Sequence, residues 1–102
     1  SSAASDVYKR QQQMSEMVLK AFIFQKKRDQ MELNGKLNDA QVAKFCMLDA
    51  EASEILKKAA TKYNLSQRGI KRTLRVARSI ADLDESEQIL KPHILEALSF
   101  RA

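Results

Sequence analysis

Only Gly35, Gly69 and Pro92 punctuate the 102 residues of this chain. A strand-built domain of that length needs a turn signal roughly every 8–12 residues, and these three residues cannot supply them. No stretch alternates apolar and polar residues for long, so helices are left as the building element. The predicted fold is all-α, a small bundle of about five helices. At 102 residues one domain is expected, able to bury roughly two-thirds of the surface its unfolded form exposes.

The opening SSAAS is small and polar, so residues 1–5 read as a linker or domain edge and residues 6–102 as the helical domain. From Asp6 to about Leu33 one long helix is predicted, with Met14, Met17, Val18, Ala21 and Phe24 on a stripe and Leu19, Phe22 and Ile23 off it. A helix apolar on nearly all sides must be covered on both, either centrally in its own bundle or by something further. NGKLND, Asn34 to Asp39, is the clearest break, Asn and Gly giving the freedom a helix end needs. A short helix carrying Val42, Phe45 and Cys46 follows. Asp49 then caps a helix with Ala52, Leu56, Ala59 and Tyr63 on one side. Ser66 caps the next, which runs to about Asp84, and Pro92 sits in the first turn of a last helix carrying Leu95 and Leu98.

The longest apolar run, Met17 to Phe24, is interrupted by Lys20 and far too short to cross a bilayer, and no targeting segment is visible. With Cys46 alone there is no internal disulfide to form, which points to a reducing compartment and, by default, the cytoplasm. A net charge of +5 permits an anionic partner without requiring one.

The chemistry of the chain gathers in LSQRGIKRTLRVARSIADL, starting at Leu65. Wound at about 100° per residue, Ile70, Leu74, Ala77 and Ala81 take one side, and Arg68, Lys71, Arg72, Arg75 and Arg78 span an arc of about 120° on the other. Asp82 is the one acid among them. Such a face is often no more than solvated. Arg68, however, lies in the first turn, where the macrodipole makes a cation unfavourable by about 0.3–1 kcal/mol. Gly69 beside it costs up to about 1 kcal/mol against alanine. Both become reasonable if an anion meets the guanidinium and the free N–H groups of the helix mouth, and phosphate is the obvious anion.

These residues carry a resemblance. LSQRGIKRTLRVARSIADLDESEQILKPHILEAL closely resembles the C-terminal domain of magnesium-chelatase-like AAA+ ATPases of the ComM or YifB type. The shared pattern is leucine, serine, a variable residue and arginine, then an arginine-rich helix ending in VAR[ST]IADL, then H-[IL]-x-E-A-L. Leu65, Ser66, Arg68, Arg72, Val76, Ala77, Arg78, Ile80, Ala81, Asp82 and Leu83 supply it, followed by His93, Glu96, Ala97, Leu98 and Arg101. Asn34 to Leu37 fit the family's asparagine-leucine turn, and Cys46, Leu48 and Asp49 its C-x-L-D. Ala21 and Phe22 depart from an alanine-arginine pair found in many members.

The resemblance implies a helical lid behind a nucleotide-binding core. There an arginine at the start of a lid helix, sensor 2, contacts the γ-phosphate of ATP bound by a neighbouring subunit, and Arg68 matches that position. ATP and magnesium belong to the intact parent. This chain has no G-x-x-x-x-G-K-[ST] loop and is expected to bind neither alone and to be inactive alone. The implied partners are the AAA+ core of the same chain and neighbouring subunits of a hexameric ring, with DNA as substrate and no membrane. The related chelatase subunits act instead in metal insertion into a porphyrin, and the lid does not choose between these.

Two other readings stay open. In one, Arg68, Lys71, Arg72 and Arg75 neutralise nucleic-acid phosphates without reading bases; in the other, the apolar surplus at Leu19 to Phe24 makes an oligomerisation surface. Elsewhere the plain readings hold. His93 has no partner at a trusted metal-ligand spacing and is structural, Cys46 is a small core residue, and Ser66 is a cap. Asp82, Asp84, Glu85 and Glu87 form a solvated connection.

Overall fold

The computed structural model describes residues 2–101; Ser1 and Ala102, the outer ends of the predicted linker and domain, lie outside the described residues. Five α-helices follow in order: α1 (Ser2–Lys26), α2 (Asp39–Phe45), α3 (Ala50–Lys62), α4 (Gln67–Leu83) and α5 (Lys91–Ser99), with a 3-10 turn at Asn34–Lys36 before α2. The all-α expectation is met.

Local chemistry sets the helix starts. Asn38 and Gln41 form a reciprocal capping box at α2, each side chain accepting the other's backbone N–H at 2.9 Å. Asp49 Oδ1 accepts from the Ala52 N–H (2.8 Å), and Ser66 Oγ from the Gly69 N–H (3.0 Å), as the sequence predicts. The helix ends are less legible. Neither glycine has positive φ; the left-handed residues are Asp29, Asn64 and Glu85, after α1, α3 and α4. At α3 the Leu65 N–H returns to the Ala60 carbonyl (3.0 Å), and at α4 the Ser86 N–H returns to Ala81 (2.9 Å). Both are Schellman closures made without glycine.

The core forms around α5, which packs against α4 on one side and α3 on the other. Ala77 and Ala81 of α4, Ala97 of α5, and Ala52 and Ala59 of α3 are buried, small side chains that let the helices approach closely, while Leu56, Ile94 and Leu98 fill the space between. Leu95, placed in the core by the sequence pattern, is exposed; Ile94 and Ala97 take the inner face of α5 with Leu98. Two connections are pinned side by side. Ile89 donates to the Met47 carbonyl (2.7 Å) and accepts from the Asp49 N–H (3.1 Å), so the α2–α3 and α4–α5 links cannot separate independently.

α1 differs from the predicted helix at both ends. It begins by Ser2, inside the segment expected to be a linker, and stops at Lys26 rather than Leu33. The reason for the stop is a buried polar network that residues 28–34 must reach. Arg28 makes a two-pronged pair with Asp82 (Nη1–Oδ1 2.6 Å, Nη2–Oδ2 2.8 Å). Asn34 Nδ2 donates to Asp82 Oδ2 (2.8 Å), and Gln30 Nε2 donates to Asn34 Oδ1 (2.8 Å). Arg78 Nε donates to Asp82 Oδ1 (3.1 Å) from one turn earlier on α4. A helix continued through Leu33 would carry Gln30 and Asn34 off this cluster.

Arg78 and Asp82 therefore correct the sequence reading. Arg78, expected on the outward cationic face, is fully buried, and Asp82, expected in a solvated connection, is 2% exposed. Two guanidiniums share one carboxylate, which leaves one positive charge without an anion. Backbone carbonyls complete its solvation: Arg78 donates to Phe45 (3.2 Å), to Glu87 (2.8 Å) and to Ser86. Burial pulls the Arg78 pKa below its ordinary value, and Asp82 opposes that shift. Removing one member of a buried charge cluster costs about 3–5 kcal/mol because it leaves its partners uncompensated. Asp82→Asn keeps the shape and loses the charge. It is expected to lower the urea-unfolding free energy by an amount of that order, and a loss below about 1 kcal/mol would show that the cluster does not hold the fold.

Candidate anion-binding face of α4

The N-terminal half of α4 is built differently from the C-terminal half just described. Ser66 caps it, Thr73 Oγ donates back to the Gly69 carbonyl (2.9 Å), and Ile70, Leu74 and Ala77 turn toward the core. The cations predicted for the outer face separate into two kinds. Lys71 pairs with Asp39 at the start of α2 (2.8 Å), and that pairing, through hydrogen bond and charge, lowers the Asp39 pKa. Arg75 is half-buried and its Nε donates to the Leu37 carbonyl at the end of the 3-10 turn (3.0 Å). These two fasten residues 37–39 to α4.

Arg68 and Arg72 remain. Both are exposed, and among the described residues neither side chain makes a hydrogen bond or an ion pair. They stand one turn apart at the positive end of the helix dipole, with no acidic residue in the first turn of α4. Arg72 also lines a small depression of about 120 Å³ together with Leu65, Gly69, Phe100 and Arg101. Arg101 is held in place, stacked on the Tyr63 ring at 3.6 Å and donating to the Leu98 carbonyl (2.8 Å). The sequence gives no sign that Arg101 comes near Arg72, because they meet only through the packing of α5 on α4.

The other candidate groups fall into structural roles. His93 is buried; its Nδ1 accepts the Leu90 N–H (3.0 Å), and its Nε2 lies 2.8 Å from Asp84 Oδ2, so the ring closes the α4–α5 connection. Cys46 is buried, with its thiol pushed up to about 11 by desolvation, which suits an inert core side chain. Among the described residues no group of three or more His, Cys, Asp or Glu is placed to hold a metal ion, and no helix is long and apolar enough to cross a membrane. Two free guanidiniums at a helix mouth, without a neighbouring base or nucleophile, are equipped to bind and orient an anion.

Residues 9–101 match the family described as magnesium chelatase, subunit ChlI C-terminal. The chain belongs to that family. It is 40% identical over 90 residues to the competence protein ComM of Haemophilus influenzae, covering 88% of this chain and 18% of that protein. It is also 40% identical over 73 residues to YifB of Escherichia coli K12, covering 72% of this chain and 14% of that protein. This ChlI-type C-terminal domain thus spans less than a fifth of either relative.

One feature of the domain's helix mouth separates folding from function. Gly69 has an ordinary helical backbone, and a Cβ there would meet Ser66 Oγ at 3.4 Å, an ordinary contact. Nothing in the fold requires glycine at this position. Gly69→Ala is therefore expected to stabilise the domain by up to about 1 kcal/mol in thermal or urea unfolding; a clear loss of stability would mean that the cap does not tolerate a side chain.

Proposed function

We propose that this domain is the lid of a AAA+ ATPase and that Arg68 is its sensor-2 arginine, meeting the γ-phosphate of ATP bound by a neighbouring subunit of a ring. The observation that carries the reading is the state of Arg68: exposed, without an internal partner, and set where the helix dipole disfavours a cation until an anion arrives. Family membership supplies the context, since an arginine at this position of a lid helix has that role in AAA+ proteins.

The architecture supports a mechanical role as well. α4 carries Arg68 at one end and the buried Asp82 cluster at the other, 14 positions later. A tug on the guanidinium as phosphate is cleaved is transmitted along a rigid helix to α1 and to the pinned connections, so the lid moves as one body. ATP and magnesium belong to the core, whose phosphate cradle and metal ligands this chain does not contain. DNA is the substrate we propose for the parent ring, a reading in keeping with the competence protein among the relatives.

A nucleic-acid-binding module is the second reading. It would draw on the same face, which now offers Arg68 and Arg72, since Lys71 and Arg75 are engaged within the domain and Arg78 is buried. The test compares Arg68→Ala with Lys57→Ala, an exposed cation on α3, in the full-length protein. Arginines that meet charge on a transferring phosphoryl group are worth about 10³–10⁵ in rate, so Arg68→Ala is expected to lower ATP turnover at least about tenfold, with circular dichroism unchanged. Lys57→Ala should stay within about twofold of wild type under the same conditions. Normal turnover in Arg68→Ala, together with salt-sensitive DNA binding that is lost in Arg68→Ala and Arg72→Ala, would transfer the face to the second reading.

A further inference from the structure

Arg78 shapes a surface cleft as well as the core. It donates to the carbonyls of Phe45 (3.2 Å), the last residue of α2, and Glu87 (2.8 Å), in the α4–α5 connection. Arg28, held on Asp82, brings the end of α1 alongside. Between these three stretches opens a cleft of about 420 Å³, within the roughly 300–1,000 Å³ of small-molecule sites. Phe24, Phe45 and Met47 are its apolar walls. Arg28 and Lys44 stand over the Phe45 ring, 6.0 and 5.2 Å from its centre, and Lys27 and Glu87 complete the lining. Because Arg78 and Asp82 hold these segments, the cleft is formed before any ligand arrives.

Positive charge is in excess there. Arg28 and Arg78 share the single carboxylate of Asp82, which occupies the fork of Arg28. Lys27, Lys44 and Glu87 are exposed, and among the described residues none of the three is in an ion pair. The two lysines therefore outnumber the one acid that could answer them. We infer that this cleft binds a small organic carboxylate, one anionic group on an aromatic or short hydrocarbon body. The carboxylate lies with the ammonium groups of Lys27 and Lys44, and the body covers Phe45 and Met47, the latter 55% exposed without it. Each part of such a ligand answers a different part of the lining. Inorganic phosphate would meet the lysines and leave the apolar walls wet, and an uncharged ring would cover the walls and leave the lysines unanswered. Glu87 opposes the bound anion and holds the affinity below what the lysines alone would give.

Arg68 and Arg72 do not border the cleft, so its ligand is independent of the nucleotide reading. The probes are 2-naphthoate, its uncharged amide and inorganic phosphate, titrated into the 102-residue chain and followed by amide chemical shifts. 2-Naphthoate should move the amides of Lys27, Lys44, Met47 and Glu87 along one saturating curve, with the amide probe and phosphate each bound at least about fivefold more weakly. Lys44→Gln should weaken 2-naphthoate about two- to fivefold and Glu87→Gln should strengthen it by a similar factor, since both side chains are exposed and act through charge. Thermal melting of the free protein should be unchanged in both. In the full-length protein the fluorescence of 2-naphthoate should report the same binding and the same loss in Lys44→Gln. No saturable binding at millimolar 2-naphthoate, equal binding of phosphate or of the uncharged amide, or weaker binding in Glu87→Gln would overturn the assignment. So would binding to the 102-residue chain with none that depends on Lys44 in the full-length protein, because the remainder of that protein would then fill the cleft.

Discussion

Asp82 stands between the guanidiniums of Arg28 and Arg78, and four separate stretches of chain depend on that contact. Arg28 brings the end of α1. Asn34 brings the 3-10 turn. Arg78, from within α4, holds the carbonyls of Phe45, Ser86 and Glu87, which belong to the end of α2 and to the α4–α5 connection. An ion cluster of this kind is a weak source of net stability, because desolvation offsets most of its Coulombic gain. Its effect is on geometry. Every buried side-chain nitrogen and oxygen among the described residues has a partner, so a displaced arrangement would leave several unpaired at once.

That cluster divides α4 into two working halves. Toward Leu83 its polar face is covered and its charges are consumed internally; toward Gln67 the same face is open and Arg68 and Arg72 are unpartnered. Lys71 and Arg75 lie between, tying the start of α2 and the 3-10 turn to the helix. The proposed phosphate-sensing role would need this arrangement: a free cation at one end, and at the other an anchor that does not yield. The order of residues along α4 provides both, and the small residues Ala77 and Ala81 seat the helix against its neighbours.

The helix starts were legible because capping is local chemistry: Asp49 and Ser66 accept the N–H groups their spacing implies. The ends were not. Asp29, Asn64 and Glu85 adopt the left-handed conformation that sequence reasoning reserves for glycine, while Gly35 and Gly69 do not. The site was legible in part. Period alone places Arg78 with Arg75 and Lys71, since a helical wheel knows angle and not what lies beside each turn. Asp82 four residues after Arg78 was the one available hint of an internal pair. Arg28 was out of reach for the same reason that the end of α1 was missed: its partner is 54 positions away. The exposure of Leu19, Phe22 and Ile23 did follow from sequence, because a helix apolar on so many sides cannot be covered by a small bundle on one.

If the Asp82 cluster fixes the geometry of the domain, the segments it joins should open together or not at all. Native-state hydrogen exchange reads this directly through three amides: Leu37, bonded to Asn34; Ile89, bonded to Met47; and Ser86, bonded to Ala81. The account predicts that all three exchange only through the global unfolding of α3, α4 and α5, with the same free energy and denaturant dependence. Exchange of the 3-10 turn or of the α4–α5 connection through a separate, low-energy opening, while α4 stays protected, would show that the cluster is a passive contact and would contradict the account.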